Sequence, residues 1–112
     1  MKSIWLLEGS QDNRDMFSEV LANAGFAPIA FASVDELRAH ASHFDAEPPA
    51  MTIVDAKTAS ECEREVCAMV PSRVVLMTTW PMQFARWANL GVSRVFIKPF
   101  DCTRLIEHAG PP

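Results

Sequence analysis

The chain has 112 residues, a length that favours one domain, and we expect a single domain over residues 1–112. Lysine and arginine number 10 and aspartate and glutamate 14, which gives a formal net charge of −4. This acidic balance argues against non-specific binding to nucleic acid or to an anionic membrane surface, because both require a basic face. Hydrophobic residues make up 49% and charged residues 21%, which is typical of a globular protein and excludes a disordered one.

The sequence also predicts the cellular compartment. No apolar run approaches the roughly 20 residues of a transmembrane helix. Glu8 comes too early to leave room for the apolar region of a secretory signal peptide. The three cysteines, Cys62, Cys67 and Cys102, form no Cys-x-x-Cys pair, which favours free thiols in a reducing compartment. We therefore expect a soluble cytoplasmic protein.

The predicted elements begin with a strand at 4–7, a short apolar run typical of a strand covered on both faces. Asp12 is the predicted N-cap of the first helix, and Gly25 the residue that closes it. Residues 28–31 are predicted as a second strand at an edge of the sheet, because Pro28 has no N–H to donate to a neighbour.

Two Ser-x-x-Glu sequences have the spacing of a helix capping box, and each predicts a helix start. They begin at Ser33 and at Ser60, on either side of a third predicted strand at 50–55. The second of these helices is expected to run to about Val70, with Pro71 stopping it.

The last third of the chain continues the alternation. Residues 73–78 are predicted as the fourth strand, 81–90 as a helix that begins with proline and closes at Gly91, and 93–97 as the fifth strand. Asp101 is the predicted N-cap of a short last helix. Five strands alternating with five helices predict an α/β fold, a doubly wound parallel sheet with helices on both faces.

Four of the predicted strands end in a residue with chemical function: Glu8, Asp55, Thr78 and Lys98. The carboxyl ends of parallel strands meet at one edge of the sheet, where ligands bind in such folds. Two carboxylates, a hydroxyl and an ammonium group are what a site needs to hold a hard cation beside a phosphoryl group.

The chain resembles the receiver domain of two-component response regulators over essentially its whole length. Four stretches carry the resemblance, at 6–8, 51–55, 74–79 and 88–100. The last is the most specific, since it closes a helix in Gly91 and ends a strand in Lys98-Pro99-Phe100. The resemblance implies a (βα)5 flavodoxin-like sheet in the order 2-1-3-4-5, and a cis Lys98–Pro99 bond.

The resemblance also implies roles at the site. Asp55 would accept a phosphoryl group from a histidine kinase or phosphotransfer protein, and Lys98 would pair first with Asp55 and then with a phosphoryl oxygen. Mg²⁺ would be held by Glu8, Asp55 and the backbone carbonyl of Lys57. Thr78 would turn toward the phosphoryl group and move the loop after the fourth strand. Beyond self-phosphorylation and autodephosphorylation, no enzymatic activity is expected.

The sequence departs from the family pattern, first of all at the residues expected to bind the metal ion. Gly9 stands where the direct metal ligand is expected, so Mg²⁺ binding is expected to be weak or lost. Glu8 is long enough to reach in, with Asp12 the poorer substitute, or else it serves only to pair Lys98. Lys57 brings a cation to the mouth of the site, where it is a candidate either to stand in partly for the metal or to hold the domain in one state.

Two further departures concern the moving parts and the surface. Val95 replaces the aromatic residue that usually rotates with the switch, and Phe96 beside it is expected on the opposite face of the strand. The helix predicted at 81–90 carries Met82, Phe84 and Trp87, which cannot all face one core. Either part of it is exposed, as for a partner or dimer surface, or Trp87 folds back over it.

Two functions from different classes are therefore expected. One is a phosphoryl-accepting switch that signals through protein–protein contact, since 112 residues leave no room for an output domain unless the chain is a fragment. The other is a pseudo-receiver, a phosphorylation-independent interaction or dimerisation module with a degenerate metal site. A downstream protein and a second copy of the chain are the expected partners, and neither nucleic acid nor membrane is expected to be one.

Overall fold

The computed structural model describes residues 1–43, 45–70 and 72–112, and for 81–83 it describes the backbone alone. The predicted helix stop at Pro71 and the side chain of Met82 lie outside this description. The elements in chain order are β1 (Ser3–Leu7), α1 (Gln11–Asn23), β2 (Ala27–Phe31), α2 (Val34–Ala41), β3 (Met51–Asp55), α3 (Glu63–Met69), β4 (Arg73–Thr78), a 3₁₀ helix (Pro81–Arg86), β5 (Val92–Ile97) and α4 (Cys102–Ala109). Among the described residues, no helix combines the length and the apolar character needed to cross a membrane.

The five strands form one parallel sheet in the order β2-β1-β3-β4-β5, which confirms the predicted fold class and strand order. Pro28 lies in β2, at an edge of the sheet, as its missing N–H requires. All five residues of β1 and of β3 are buried, because helices cover the sheet on both faces. These two interior strands are mostly apolar, and an acid stands at the carboxyl end of each, Glu8 just after β1 and Asp55 as the last residue of β3.

Alternation along each strand divides the core between the two faces of the sheet. On one face, Trp5 and Leu7 of β1 pack with Val54 of β3 in a cluster that also contains Trp87. On the other face, neighbouring residues of the same strands pack with α1 and α4, and this second cluster consists of Ile4, Leu6, Phe17, Leu21, Phe26, Met51, Ile53, Val75, Met77, Phe96, Leu105 and Ala109.

Three helix ends follow the predicted capping chemistry, and one start differs. Ser33 accepts a hydrogen bond from the Glu36 N–H, and Gly25 has φ +95°, the left-handed conformation that closes a helix. Asp101 caps α4 as predicted. The N-cap of α1 is Ser10 and not Asp12, which lies inside the first turn, because the Ser10 hydroxyl reaches the Asn13 N–H.

The second predicted capping box is wrong. Helix α3 begins at Glu63, after Cys62, and no side chain caps it. Residues 55–62 form successive tight turns instead, in which the Ser60 N–H bonds to the Lys57 carbonyl and the Cys62 N–H to the Ala59 carbonyl. Ser60 is thus part of a turn and cannot begin a helix.

The fourth predicted helix is also wrong in type and length. Residues 81–86 form a 3₁₀ helix, and the chain then turns toward β5 through Asn89 and Gly91, which have φ +69° and +80°. Trp87 is buried against the sheet, whereas 42% of Phe84 is exposed. The segment is therefore partly exposed, at Phe84, and it also folds back onto the core, at Trp87. Each of the two alternatives left open by the sequence is met by one of these residues.

Candidate functional site

The carboxyl ends of the strands enclose an open crevice of about 500 Å³. Glu8, Asp55 and Lys98, predicted from three separate strand ends, all line it. Lys57 and Thr79 lie at its exposed rim. The parallel order of the sheet brings these residues together, although 43 positions separate Asp55 from Lys98 in the sequence.

The Lys98 ammonium group joins the two carboxylates. Its Nζ lies 2.5 Å from Oε1 of Glu8 and 3.1 Å from Oδ1 of Asp55. The three side chains are 16%, 3% and 11% exposed, respectively. Two negative charges thus share one cation in a largely dry site, which leaves a formal net charge of −1 among the three groups.

Electrostatics at the site favour the charged lysine. Burial on its own would lower the pKa of Lys98. The hydrogen bond to Glu8, together with the charge and hydrogen bond of Asp55, outweighs this and raises the pKa above 10.5. Lys98 is therefore a fixed positive charge beside Asp55 at any physiological pH.

The second oxygen of each carboxylate also has a donor. Oε2 of Glu8 accepts the Ser10 N–H at 3.1 Å. Oδ2 of Asp55 accepts two hydrogen bonds from Thr58, from its N–H at 3.0 Å and from its hydroxyl at 2.6 Å. All four carboxylate oxygens are therefore bonded to protein donors.

Thr58 is the site residue that the sequence did not reveal. Its Oγ1 donates to Asp55 and accepts the Gly9 N–H at 2.8 Å, so it bridges the ends of β3 and β1. The Asp-x-x-Thr spacing is compatible with the local bond to Asp55, because short polar side chains often bond within a turn. The bridge to Gly9 spans 49 residues and has no sequence signal.

Gly9 occupies the position of the expected second acid. A Cβ placed on it would lie 3.0 Å from Oγ1 of Thr58. The carbonyl of Lys57, predicted as a metal ligand, accepts the Ser60 N–H at 3.2 Å. Among the described residues, no group of three His, Cys, Asp or Glu side chains is placed to hold a metal ion.

Thr78, at the end of β4, is almost fully buried. Its hydroxyl donates to the Trp80 carbonyl at 2.8 Å and accepts the Trp80 N–H at 3.1 Å. These bonds tie the loop after β4 to the strand end, and 65% of the Trp80 side chain is exposed.

Strand β5 leads into the turn that brings Lys98 to the crevice. Val95 packs against the first core face and Phe96 belongs to the second, so the two side chains point to opposite faces as predicted. The Lys98–Pro99 bond is cis. Phe100 follows it and packs on Phe96, with ring centroids 5.0 Å apart.

Neither a family model nor a curated protein matches the chain. Solved structures do match it. A response regulator receiver protein from Burkholderia phymatum is 17% identical, with a TM-score of 0.84 over 100% of this chain and 98% of that one. A CheY-like receiver domain protein from Methanospirillum hungatei JF-1 is 17% identical, with a TM-score of 0.83 over 96% of this chain and 90% of that one.

A response regulator from Burkholderia pseudomallei is 16% identical, with a TM-score of 0.80 over 95% of this chain and 65% of that one. That structure contains a phosphorylated aspartic acid, a calcium ion and citrate. At such identities the likeness concerns the fold. The chain has the fold of response regulator receiver domains.

Proposed function

We propose that this chain is a two-component receiver that accepts a phosphoryl group on Asp55 and signals by changing its contacts with other proteins. The observation that carries the proposal is the placement of Asp55 in an open crevice with the Lys98 Nζ 3.1 Å from its carboxylate. A nucleophile and a fixed cation side by side are what the transfer of a phosphoryl group between two anions requires.

The proposed reaction is a transfer from a phosphohistidine. A carboxylate oxygen of Asp55 attacks phosphorus, the P–N bond breaks as the P–O bond forms, and the imidazole nitrogen leaves with the electron pair of the broken bond. Lys98 then bonds to the new phosphoryl oxygens and offsets part of their charge. Thr78 leaves the Trp80 backbone and donates to the phosphoryl group, which releases the loop after β4.

The residues of the site do not fit a tightly held Mg²⁺. Gly9 supplies no carboxylate, and the oxygens of Glu8 and Asp55 already have protein donors. Mg²⁺ keeps a strict octahedral shell and binds mainly through carboxylates, so we expect its binding to be weak or lost. The structure of the Burkholderia pseudomallei response regulator contains a calcium ion, so divalent cations are the ions to test on this chain.

The partners follow from this proposal. A histidine kinase or a phosphotransfer protein supplies the phosphoryl group, and a downstream protein or a second copy of the chain receives the signal. The net charge of −4 disfavours direct contact with nucleic acid or an anionic membrane. We place the protein in the cytoplasm, and we propose no enzymatic activity beyond self-phosphorylation and autodephosphorylation.

A second candidate function is a pseudo-receiver that binds its partner without phosphorylation. The observation in its favour is that all four oxygens of Glu8 and Asp55 are engaged. Hydrogen bonds to the Asp55 carboxylate lower its nucleophilicity, most of all at Oδ2, which accepts two of them.

Intact-mass measurement after incubation with acetyl phosphate separates the two functions. A receiver gains one phosphoryl group in the wild type and in Asp15→Asn, a control at an exposed acid of α1, and gains none in Asp55→Asn. No adduct in any of the three proteins, with acetyl phosphate or with a histidine-phosphorylated phosphotransfer protein, would favour the pseudo-receiver. An adduct that persists in Asp55→Asn would show that another residue accepts the group and would overturn the proposed role of Asp55.

A further inference from the structure

The place of the missing acid is filled by another side chain of the chain itself. Gly9 does not adopt the positive φ found at Gly25, Gly91 and Gly110, so its backbone conformation does not call for glycine. The obstacle to a side chain at position 9 is Thr58, whose Oγ1 and Cγ2 would lie 3.0 and 3.6 Å from an added Cβ.

We propose that Thr58 acts as a neutral plug on the metal side of the crevice, so that the pair Gly9 and Thr58, and not Gly9 alone, keeps divalent cations out. The inference deepens the proposed receiver function, on which it rests only for the role of Asp55 in the site. Thr58 is a positioning residue, since it acts through the Asp55 carboxylate.

The hydrogen bonds of Thr58 explain how the plug works. A hydroxyl has one proton to donate, and Thr58 gives it to Oδ2 of Asp55 while accepting the Gly9 N–H. The Thr58 backbone N–H donates to the same oxygen. Oδ2, the Asp55 oxygen that Lys98 does not bond, is therefore held by two donors from one residue, and a metal ion has to displace the hydroxyl to use it.

Two changes are needed together to make a cation site. Gly9→Asp alone adds a carboxylate but presses its Cβ against Oγ1 of Thr58, and Oδ2 of Asp55 stays bonded. Thr58→Ala alone frees space and one bond to Oδ2 but leaves two carboxylates shared by Lys98. The double variant supplies a third carboxylate, the room for it and an oxygen released from the hydroxyl, and cation affinity rises with the number of charged ligands.

Calorimetric titration of the full chain with MgCl₂, in the absence of any phosphodonor, tests this design. We expect weak binding in the wild type, in Gly9→Asp and in Thr58→Ala. The double variant is expected to bind at least about tenfold more tightly than any of them, a gain that the addition of Asp55→Asn abolishes. Thr103→Ala, an exposed threonine on α4, is the control and should match the wild type.

A conservative variant separates the hydroxyl from overall destabilisation. Gly9→Asp combined with Thr58→Ser keeps the hydroxyl, so its Mg²⁺ affinity should stay near that of Gly9→Asp. The proposal is overturned if Gly9→Asp alone binds as tightly as the double variant, if the double variant gains nothing, or if the serine variant binds as tightly as the alanine one.

Thermal unfolding in the alanine series keeps the proposal testable should the aspartate variants fail to fold. Gly9→Ala should lower Tm in the wild-type background and lower it less in a Thr58→Ala background, because the contact with Oγ1 is then gone. Equal losses in both backgrounds contradict the plug. Because Mg²⁺ binding is measured without phosphodonor, failure of Asp55 labelling refutes the proposed function and leaves this result standing.

Discussion

Lys98 matters more for stability than an exposed lysine does, because it is paired with two buried carboxylates. Its ammonium group lies within 3.1 Å of both Glu8 and Asp55, whose side chains are nearly inaccessible. Leaving a buried charge without its partner costs more than the pair contributes net, because the desolvation of the remaining charge is no longer offset. The site therefore links the stability of the domain to its chemistry at this lysine.

We predict that Lys98→Met destabilises the protein by about 3–5 kcal/mol at neutral pH, measured by urea unfolding. Without the Lys98 cation the two carboxylates repel each other at short range, and this repulsion adds to the expected loss. Lys57→Met, at the exposed rim, is the matched control and should change stability by less than about 0.5 kcal/mol. A loss at Lys98→Met no larger than the loss at Lys57→Met would contradict the pairing.

At alkaline pH the contacts of Lys98 make the stability of the fold depend on pH. The folded state raises the pKa of Lys98 above its usual 10.5, so the folded protein holds this proton more strongly than the unfolded chain. The stability from the raised pKa is fully present below pH 10.5 and is lost as pH rises through the folded-state value. In an unfolding series above pH 10.5, Lys98→Met should lack this part of the loss.

The boundaries of the strands and helices show how much of the secondary structure local sequence can predict. Strand β4 was predicted over Arg73–Thr78, as observed, because a strand covered on both faces is a bounded apolar run. The capping boxes at Ser33 and Ser60 look alike in sequence, yet only the first caps a helix. The second lies in the turns that follow Asp55, and its Glu63 carboxylate bonds to the Glu61 N–H. The position of the second sequence directly after the end of β3, and not its local residue pattern, therefore explains why it does not cap a helix.

The two serines give a test at this scale. Ser10→Ala should destabilise the protein by about 1 kcal/mol, because the Asn13 N–H loses its partner. The Ser10 N–H keeps its bond to Glu8, so the crevice is unaffected. Ser60→Ala should change stability by less than about 0.5 kcal/mol, since its side chain is exposed and caps no helix. Chemical denaturation of both variants and of Ser33→Ala measures this, and a large loss at Ser60 would restore the predicted capping box.

At the scale of the whole molecule, topology accounts for both the success and the gap in locating the site. Glu8, Asp55 and Lys98 were predicted because each ends a strand, and a parallel sheet gathers strand ends at one edge. Thr58 lies in a turn and acquires its role by meeting Gly9 from another strand. No periodicity marks such a contact. The sequence therefore predicts the site residues at strand ends, and it does not predict a contact between residues that follow two different strands, such as Thr58 and Gly9.

The segment between β4 and β5 has one aromatic ring that belongs to the core and two that belong to the surface. Trp87 is 2% exposed and packs in the core cluster that contains Trp5 and Val54, whereas Phe84 and Trp80 are 42% and 65% exposed. The buried Trp87 side chain therefore anchors this segment, which contains only a short helix, to the core. A partner that docks here meets the exposed rings and not the anchor, so binding and stability should separate by residue.

We predict that Trp87→Ala costs about 3–5 kcal/mol of folding free energy, a large fraction of the roughly 5–15 kcal/mol of a typical domain. Phe84→Ala should cost less than about 1 kcal/mol, because much of its ring is already in water. Equilibrium unfolding in urea measures both, with Trp80→Ala as a second exposed-ring control. Equal losses at Trp87 and Phe84 would mean that the segment is not anchored on the sheet. If the costs differ as expected, substitutions at Phe84 and Trp80 can change partner binding while the fold that carries Asp55 stays intact.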